Sequence, residues 1–442
     1  MPKGVEGLKQ RGPLIDKGQP RPGRYRYLIC LVVFSGFFLS IFHRFAPAAI
    51  AVDLQNSFDA SAAFLGILGS AYFYPYAFMQ LPSGILADSW GPRKSISFFF
   101  VIAAAGSILT GLSANIGIAV LGRVLVGLGV STLFVCNFKL LTEWFNPREF
   151  GIVGGLFIAV AGLGSFASSV PLAWLSGLIG WRMTLILVGF VTLVIGALIY
   201  LIVRDRPGEK GLPISHHPFQ ERPAEARGLL GGIREIAASK DFRPVPVWTF
   251  FSAGIFFSLA ALWGGPYLVH VYGLTRTEAG AVLSMFAVGL IVGGPVHGVC
   301  ANAFGRKAVA VTASLVMLLI SSTLFVFTDC LPLYLLYLLF FGISFSVGST
   351  GSLQATICKE MFPPAIAGTA VGAGNLFAML GGACWQVLMG IAVTLGENNV
   401  TNIYPVSGYR RIFLLCVIAG VISVGSALCL RETLPHNAEG DQ

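Results

Sequence analysis

Apolar residues run through this chain in long uninterrupted blocks, separated by short polar stretches rich in Gly, Pro, Lys and Arg. Twelve blocks are found, at about 27–52, 62–86, 94–113, 116–141, 150–176, 182–203, 245–268, 277–301, 306–328, 331–357, 365–394 and 409–430. Each is close to the ~20 residues a helix needs to cross a bilayer. Barrel strands would instead alternate apolar and polar positions over ~10 residues. Continuous blocks therefore predict helices, whose backbone groups are satisfied internally. A polar segment, 204–243, divides the blocks six and six. The expected organisation is a tail at 1–26, a six-helix bundle at 27–203, a linker at 204–243, a second bundle at 244–430 and a tail at 431–442. Within the linker, Leu229–Ser239 has the pattern of a short amphipathic helix.

Composition agrees with an all-α integral membrane protein. The chain is 55% hydrophobic and 11% charged, with a mean hydropathy of +0.78. A soluble domain has about 25% charged residues. The net charge of +9 does not point to nucleic acid, because the basic residues sit at helix ends and in polar segments. Of the 29 Lys and Arg, 22 fall on one side of the twelve-span topology, and 4 on the other (Arg182, Arg276, Arg410 and Arg411). The positive-inside rule then predicts cytoplasmic termini. The remaining three, Arg44, Arg123 and Lys139, lie within spans, where no Asp or Glu is well embedded. The eight cysteines show no metal or redox spacing and read as packing residues. His216 and His217 read as solvated linker residues. The first apolar block is too long for the apolar core of a cleaved signal peptide.

The halves repeat one another. "GILADSWGPRK" from Gly84 follows the second block, and "GVCANAFGRK" from Gly298 follows the eighth. Gly84, Asp88 and Gly91 match Gly298, Asn302 and Gly305. "TEWFNPREFGIVGG" from Thr142 and "KEMFPPAIAGTAVG" from Lys359 form a second pair, aligning Glu143 with Glu360. Two halves in one orientation are the parallel-repeat plan of some transporters.

With these motifs the whole chain resembles the major facilitator superfamily of secondary transporters. "GILADSWGPRK" is similar to its cytoplasmic loop signature, and "RVLVGLG" (Arg123, Gly127, Gly129) to its fourth-helix motif. "FHRFAPAAI" and "EWFNPREFG" resemble its organic-anion branches, the organophosphate:phosphate antiporters and anion:cation symporters. "AGLGSFASSVP" is similar to a signature of the nitrate/nitrite branch, with Ser165 where that branch has asparagine. The resemblance implies a cavity between two rocking bundles. It gives Gly84, Asp88, Gly91, Arg93 and Lys94 a gating role, with Asp88 capping span eleven near Ala365.

Arg44 is the leading site candidate. It lies about eight residues, or roughly 12 Å, below the outer end of its helix, near the limit of snorkelling. A guanidinium facing a wet cavity can hold a carboxylate or phosphate bidentately. Neighbouring His43 is either a hydrogen-bonded structural residue or a proton carrier, and His297 is a lesser candidate of the same kind. Arg123, Asn137 and Lys139 offer further polar groups in span four. Lys139 either reaches the cytoplasmic surface or adds an anion-attracting charge. Tyr74 is the aromatic chosen as a cavity wall. Asn375 and Gln386 either bridge helices or touch substrate.

Three embedded cations with no embedded carboxylate predict an anionic solute. The expected function is secondary transport of a small organic anion, with proton symport favoured over exchange. The expected setting is a bacterial inner membrane, with the chain working as a monomer among lipids. No cofactor, metal or nucleic acid is expected, and no nucleophile–base constellation suggests an enzyme. The alternatives are an anion exchanger of the sugar-phosphate or nitrate/nitrite type, and a non-transporting receptor on a transporter fold.

Overall fold

The computed structural model describes residues 25–145, 147–210, 229–395 and 404–434. The terminal tails at 1–24 and 435–442 and the linker residues 211–228, with His216 and His217, lie outside these. The described residues are helical, with no strand among them. Eleven helices are long and apolar enough to cross a membrane, and twelve if the bent pieces of the second span count as one.

Spans one to six comprise Tyr25–Phe58; Ala62–Ser70, Phe73–Phe78 and Gln80–Ser89; Pro92–Leu112; Ile116–Val130 and Leu133–Trp144; Pro147–Ala167 and Val170–Ile179; and Trp181–Ile202. Leu229–Ala238 is helical in the segment between the halves. Spans seven to twelve comprise Pro244–Ser258, Leu259–Trp263 and Gly264–Tyr272; Arg276–Phe304; Arg306–Val326; Leu333–Met361; Pro364–Thr394; and Val406–Leu428. We call the side on which span one begins the near side and the other the far side.

Several helices differ from their apolar blocks. Span one continues to Phe58 rather than ending near residue 52. Its last turns carry Asp53, paired with Arg276 at the start of span eight. The ion pair lets helix extend past the apolar run. Span two is bent by 54° beside Pro82, a residue that cannot donate to the helix ladder. Span seven passes through a π-turn at Leu259–Trp263 and ends at Tyr272 rather than near 268.

The two halves meet closely on the far side. Gly265 of span seven lies so near the Ala48 carbonyl of span one that a Cβ would have no room. Gly390 of span eleven meets the Ala62 carbonyl of span two in the same way. Small residues permit this backbone-to-backbone approach between membrane helices. On the near side, Phe134, Leu156 and Phe377 of spans four, five and eleven are at least one-third exposed.

Candidate functional site

Arg44 lies where the halves join. Its guanidinium carbon is 4.7 Å from the ring centre of Tyr76 and 5.8 Å from that of Tyr72, both on span two. It is 5.7 Å from the ring of Phe257 on span seven. Aromatic faces attract a desolvated cation, so three rings from two halves cradle this one. Arg44 Nε donates weakly to the Tyr72 hydroxyl, at 3.4 Å. The side chain is 7% exposed, and its Nη2 has no hydrogen-bond partner. Among the described residues, no carboxylate forms an ion pair with Arg44.

His43 points elsewhere. Its Nε2 lies 2.9 Å from Thr192 Oγ1 of span six. Thr192 donates its own hydrogen to the Val188 carbonyl. The ring must therefore be the donor, which fixes the neutral tautomer with hydrogen on Nε2. Adjacent residues on a helix are ~100° apart, so the dipeptide serves two compartments: Arg44 the junction, His43 the interior of the first half. Of the two readings of His43, the bond to Thr192 is the contact that a hydrogen-bonded structural histidine would make.

Arg123 has a local reason to be buried. Pro47 has no N–H, so it leaves the carbonyl four residues earlier without its helical donor. That carbonyl belongs to His43, and Arg123 Nη1 donates to it at 2.9 Å. Arg123 also lies over Tyr72, 5.1 Å from its ring centre. Tyr72 thus contacts both arginines. Arg123 Nε and Nη2 remain without partners. His43, Ser107, Thr110 and Arg123 line a cavity of about 20 Å³, the size of a single water.

The other predicted residues disperse. Tyr74 is more than a third exposed and neighbours Cys384. It is two residues from both Tyr72 and Tyr76, about 200° round the helix. The tyrosines at Arg44 are therefore Tyr72 and Tyr76. Asn137 is fully buried with neither amide atom bonded. Lys139 pairs with Asp88 Oδ1 at 2.6 Å and donates to the Ala87 carbonyl at 2.8 Å. This pair lies within the first half. Arg93 donates to the Tyr200 carbonyl at 2.7 Å. Gln386 is buried on the far side, its Nε2 reaching the Phe257 carbonyl at 3.4 Å. Its Oε1 leaves no space for a side chain at Gly69, so it belongs to the closed seam.

Asn375 does cross between halves: its Nδ2 donates to Gln80 Oε1 at 2.8 Å. Sequence reasoning missed Gln80, although an amide in an apolar block was the signal. It also missed Phe257, which nothing distinguishes from its aromatic neighbours without the fold.

The model of the Major Facilitator Superfamily matches residues 32–386 and again 265–441. A nitrate/nitrite transporter of Nostoc punctiforme is 30% identical over 196 residues, 42% of this chain and 38% of that protein. A probable sulfoacetate transporter of Cupriavidus necator is 27% identical over 196 residues, covering 44% of this chain and 45% of that one. These two alignments span less than half of the relatives' length. A probable galactarate/D-glucarate transporter of Escherichia coli is 23% identical over 433 residues, 90% of this chain and 93% of that protein. Among solved structures, a bacterial homologue of the human lysosomal transporter Spinster superposes with a TM-score of 0.75 at 17% identity, covering 92% of this chain and 98% of that one. A D-xylose–proton symporter gives 0.69 at 15% identity, with 93% and 98% covered. These likenesses show the fold.

Proposed function

The chain belongs to the Major Facilitator Superfamily, and on that premise we propose that it moves a small organic anion, a carboxylate or phosphate ester, by alternating access. One observation carries the proposal: Arg44 is a buried guanidinium at the junction of the halves with a free N–H group. A cation in such a place is costly, and an anionic solute supplies its missing partner. Tyr72, Tyr76 and Phe257 hold the guanidinium in place while its open edge stays available for a two-point contact. The named solutes of the relatives are anions: nitrate or nitrite, sulfoacetate, and galactarate or glucarate.

We place the near side in the cytoplasm, from the distribution of Lys and Arg. The far-side seam of Gly265, Gly390 and Gln386 closes one entrance, and rocking of the halves opens it. The residues at 27–203 and 244–430 move as the two rocking units, with Asp88, Arg93 and Lys94 biasing the balance through contacts at the near end of the first half. Lys139 serves this gate rather than the solute. Proton symport is the favoured coupling. His43 holds Thr192 through its Nε2, away from the rings around Arg44. The coupling proton accordingly travels on the anion, as an acid group.

The test is uptake by purified protein in liposomes, with a panel of carboxylates, phosphate esters, nitrate and neutral sugars, with and without a pH gradient. Saturable uptake of a carboxylate or phosphate ester, stimulated by an inward proton gradient, is the expected result. Uptake confined to neutral or cationic solutes contradicts the anion reading, and gradient-independent exchange contradicts symport.

A further inference from the structure

Away from the junction, spans eight and nine leave a cavity of about 290 Å³, floored by span ten. That is close to the lower limit of the roughly 300–1,000 Å³ of small-molecule sites. Val296 and Val316 at its rim are each 39% exposed, on the outer surface of the second half. The lining is mostly apolar, and of its polar side chains Thr312 is bonded back to the Ala308 carbonyl at 2.9 Å, which leaves His297 and Ser346. His297 Nδ1 lies 2.7 Å from the Gly293 carbonyl, so it is the donor there. In a neutral ring Nε2 is then a bare acceptor. Ser346 is 3% exposed, and its hydroxyl has no hydrogen-bond partner.

The internal repeat sets the polar residues of this groove against different residues in the first half. The register that matches Gly84 with Gly298 puts Ser83 opposite His297. The register that matches Glu143 with Glu360 puts Gly129 opposite Ser346. Gly129 lets span four lie directly on the backbone of span three at Phe99 and Ala103. Ser83 bonds back to its own helix, to the Met79 carbonyl at 2.5 Å. In the second half a serine side chain replaces the glycine and an imidazole replaces the serine.

We propose that this groove binds a neutral, membrane-dissolved molecule with a compact apolar body and one hydroxyl group, of the alkylphenol class. The hydroxyl gives its hydrogen to His297 Nε2 and accepts one from Ser346. A lipid acyl chain fits the apolar walls but meets neither polar atom, and each unmet buried polar group costs about 1–3 kcal/mol. A charged head group has no counter-charge among the lining residues. The site does not depend on the anion reading.

The experiment is photolabelling of the full chain in lipid nanodiscs with a diazirine-bearing alkylphenol, mapped by mass spectrometry. Saturable labelling around Thr312 and Val316 is expected, displaced by the parent alkylphenol. Its O-methyl ether, which lacks the donor, should compete about 5-fold more weakly, in line with one net hydrogen bond. Ser346→Ala should weaken competition by the phenol to a similar degree, and Ser346→Thr should keep it. Equal competition by phenol and ether on the unaltered protein overturns the proposal, whatever the variants do. So does non-saturable labelling spread over the whole lipid-facing surface, which marks bulk lipid as the occupant.

Discussion

The two halves share a fold and divide the chemistry. The first half buries Arg44 and Arg123 within its spans. The second keeps every Lys, Arg, Asp and Glu near the ends of its spans and buries hydroxyls and amides instead, among them Ser258, Ser346, Thr350 and Gln386. The first half supplies charge, and the second supplies one aromatic wall, Phe257, together with the far-side seam. Packing differs in the same sense: a glycine seats span three on span four, where a serine stands in the matching place of span ten. The halves repeat one architecture and differ in chemistry at individual positions.

The largest effect should come from that packing contrast. Gly129→Leu forces a side chain into the backbone of span three. Overpacking usually costs about 1–3 kcal/mol, and a backbone neighbour cannot yield as a side chain can. We expect loss of a monodisperse folded protein by size-exclusion chromatography. Ser346→Leu, at the matching place, enters the groove and should leave the melting temperature within a few degrees. Equal damage from both substitutions breaks the contrast.

A smaller difference is expected between two near-side ion pairs, one from each half. Arg306 is 9% exposed and binds Glu360 at 3.0 Å and Asn302 at 2.7 Å. The Lys139–Asp88 pair is far more exposed, at 30% and 79%. Arg306→Ala removes a buried guanidinium together with its charge-assisted contacts and should cost about 1.5–3 kcal/mol, whereas Lys139→Ala should cost under about 1 kcal/mol. Thermal unfolding in detergent ranks them, and the reverse order would contradict the burial difference.

The smallest effect separates the caps of spans three and nine. Asp205 accepts from the Arg93 N–H at 2.7 Å. Glu432 accepts from the N–H groups of Arg306 and Lys307 at 2.9 and 3.0 Å. Burial pushes the Asp205 carboxyl above its ordinary value, against the opposing hydrogen bond. Burial acts the same way on Glu432, but four backbone N–H groups outweigh it and hold it below the ordinary value. The linkage signs are therefore opposite. Glu432 contributes stability above its unfolded value near 4.5, lost as pH falls through its lower folded value. Asp205 contributes stability that is fully present below its unfolded value near 3.8 and lost as pH rises through its higher folded one. Melting curves from pH 3 to 7 should show Glu432→Gln flattening the acid-side loss and Asp205→Asn flattening the opposite trend. The same slope change in both variants would contradict this assignment.

Much of this division was legible in the sequence. Apolar blocks located the spans because a helix in lipid must be apolar along its whole length. Arg44 stood out because a cation in such a block has few explanations. The choice of tyrosine was not legible: Tyr72, Tyr74 and Tyr76 sit in one cluster, and only the helical phase after the turn near Tyr72 separates them. Arg123 carried an unread signal, since Pro47 advertises an unmet carbonyl at His43. The caps carried another. "RD" at Arg204–Asp205 and "RE" at Arg431–Glu432 close the two halves alike. Gly91 and Gly305, with φ of 86° and 95°, open the capped helices. What no pattern reveals is contact between halves, such as Gln80 with Asn375, because it depends on how two separate bundles dock.

Direct binding by Arg44 is the most exposed point of the account. Once the uptake panel has identified a transported anion, its affinity should be measured by isothermal titration on the purified protein and on Arg44→Ala, Arg44→Lys and Thr350→Val. A charge-assisted contact is worth about 1.5–3 kcal/mol, so Arg44→Ala should weaken binding roughly 10- to 150-fold. Arg44→Lys should restore only part of it, since an ammonium cannot form the two-point contact, and Thr350→Val in the second half should change it by less than about tenfold. Unchanged affinity in a folded Arg44→Ala protein would contradict the claim that this guanidinium holds the anion.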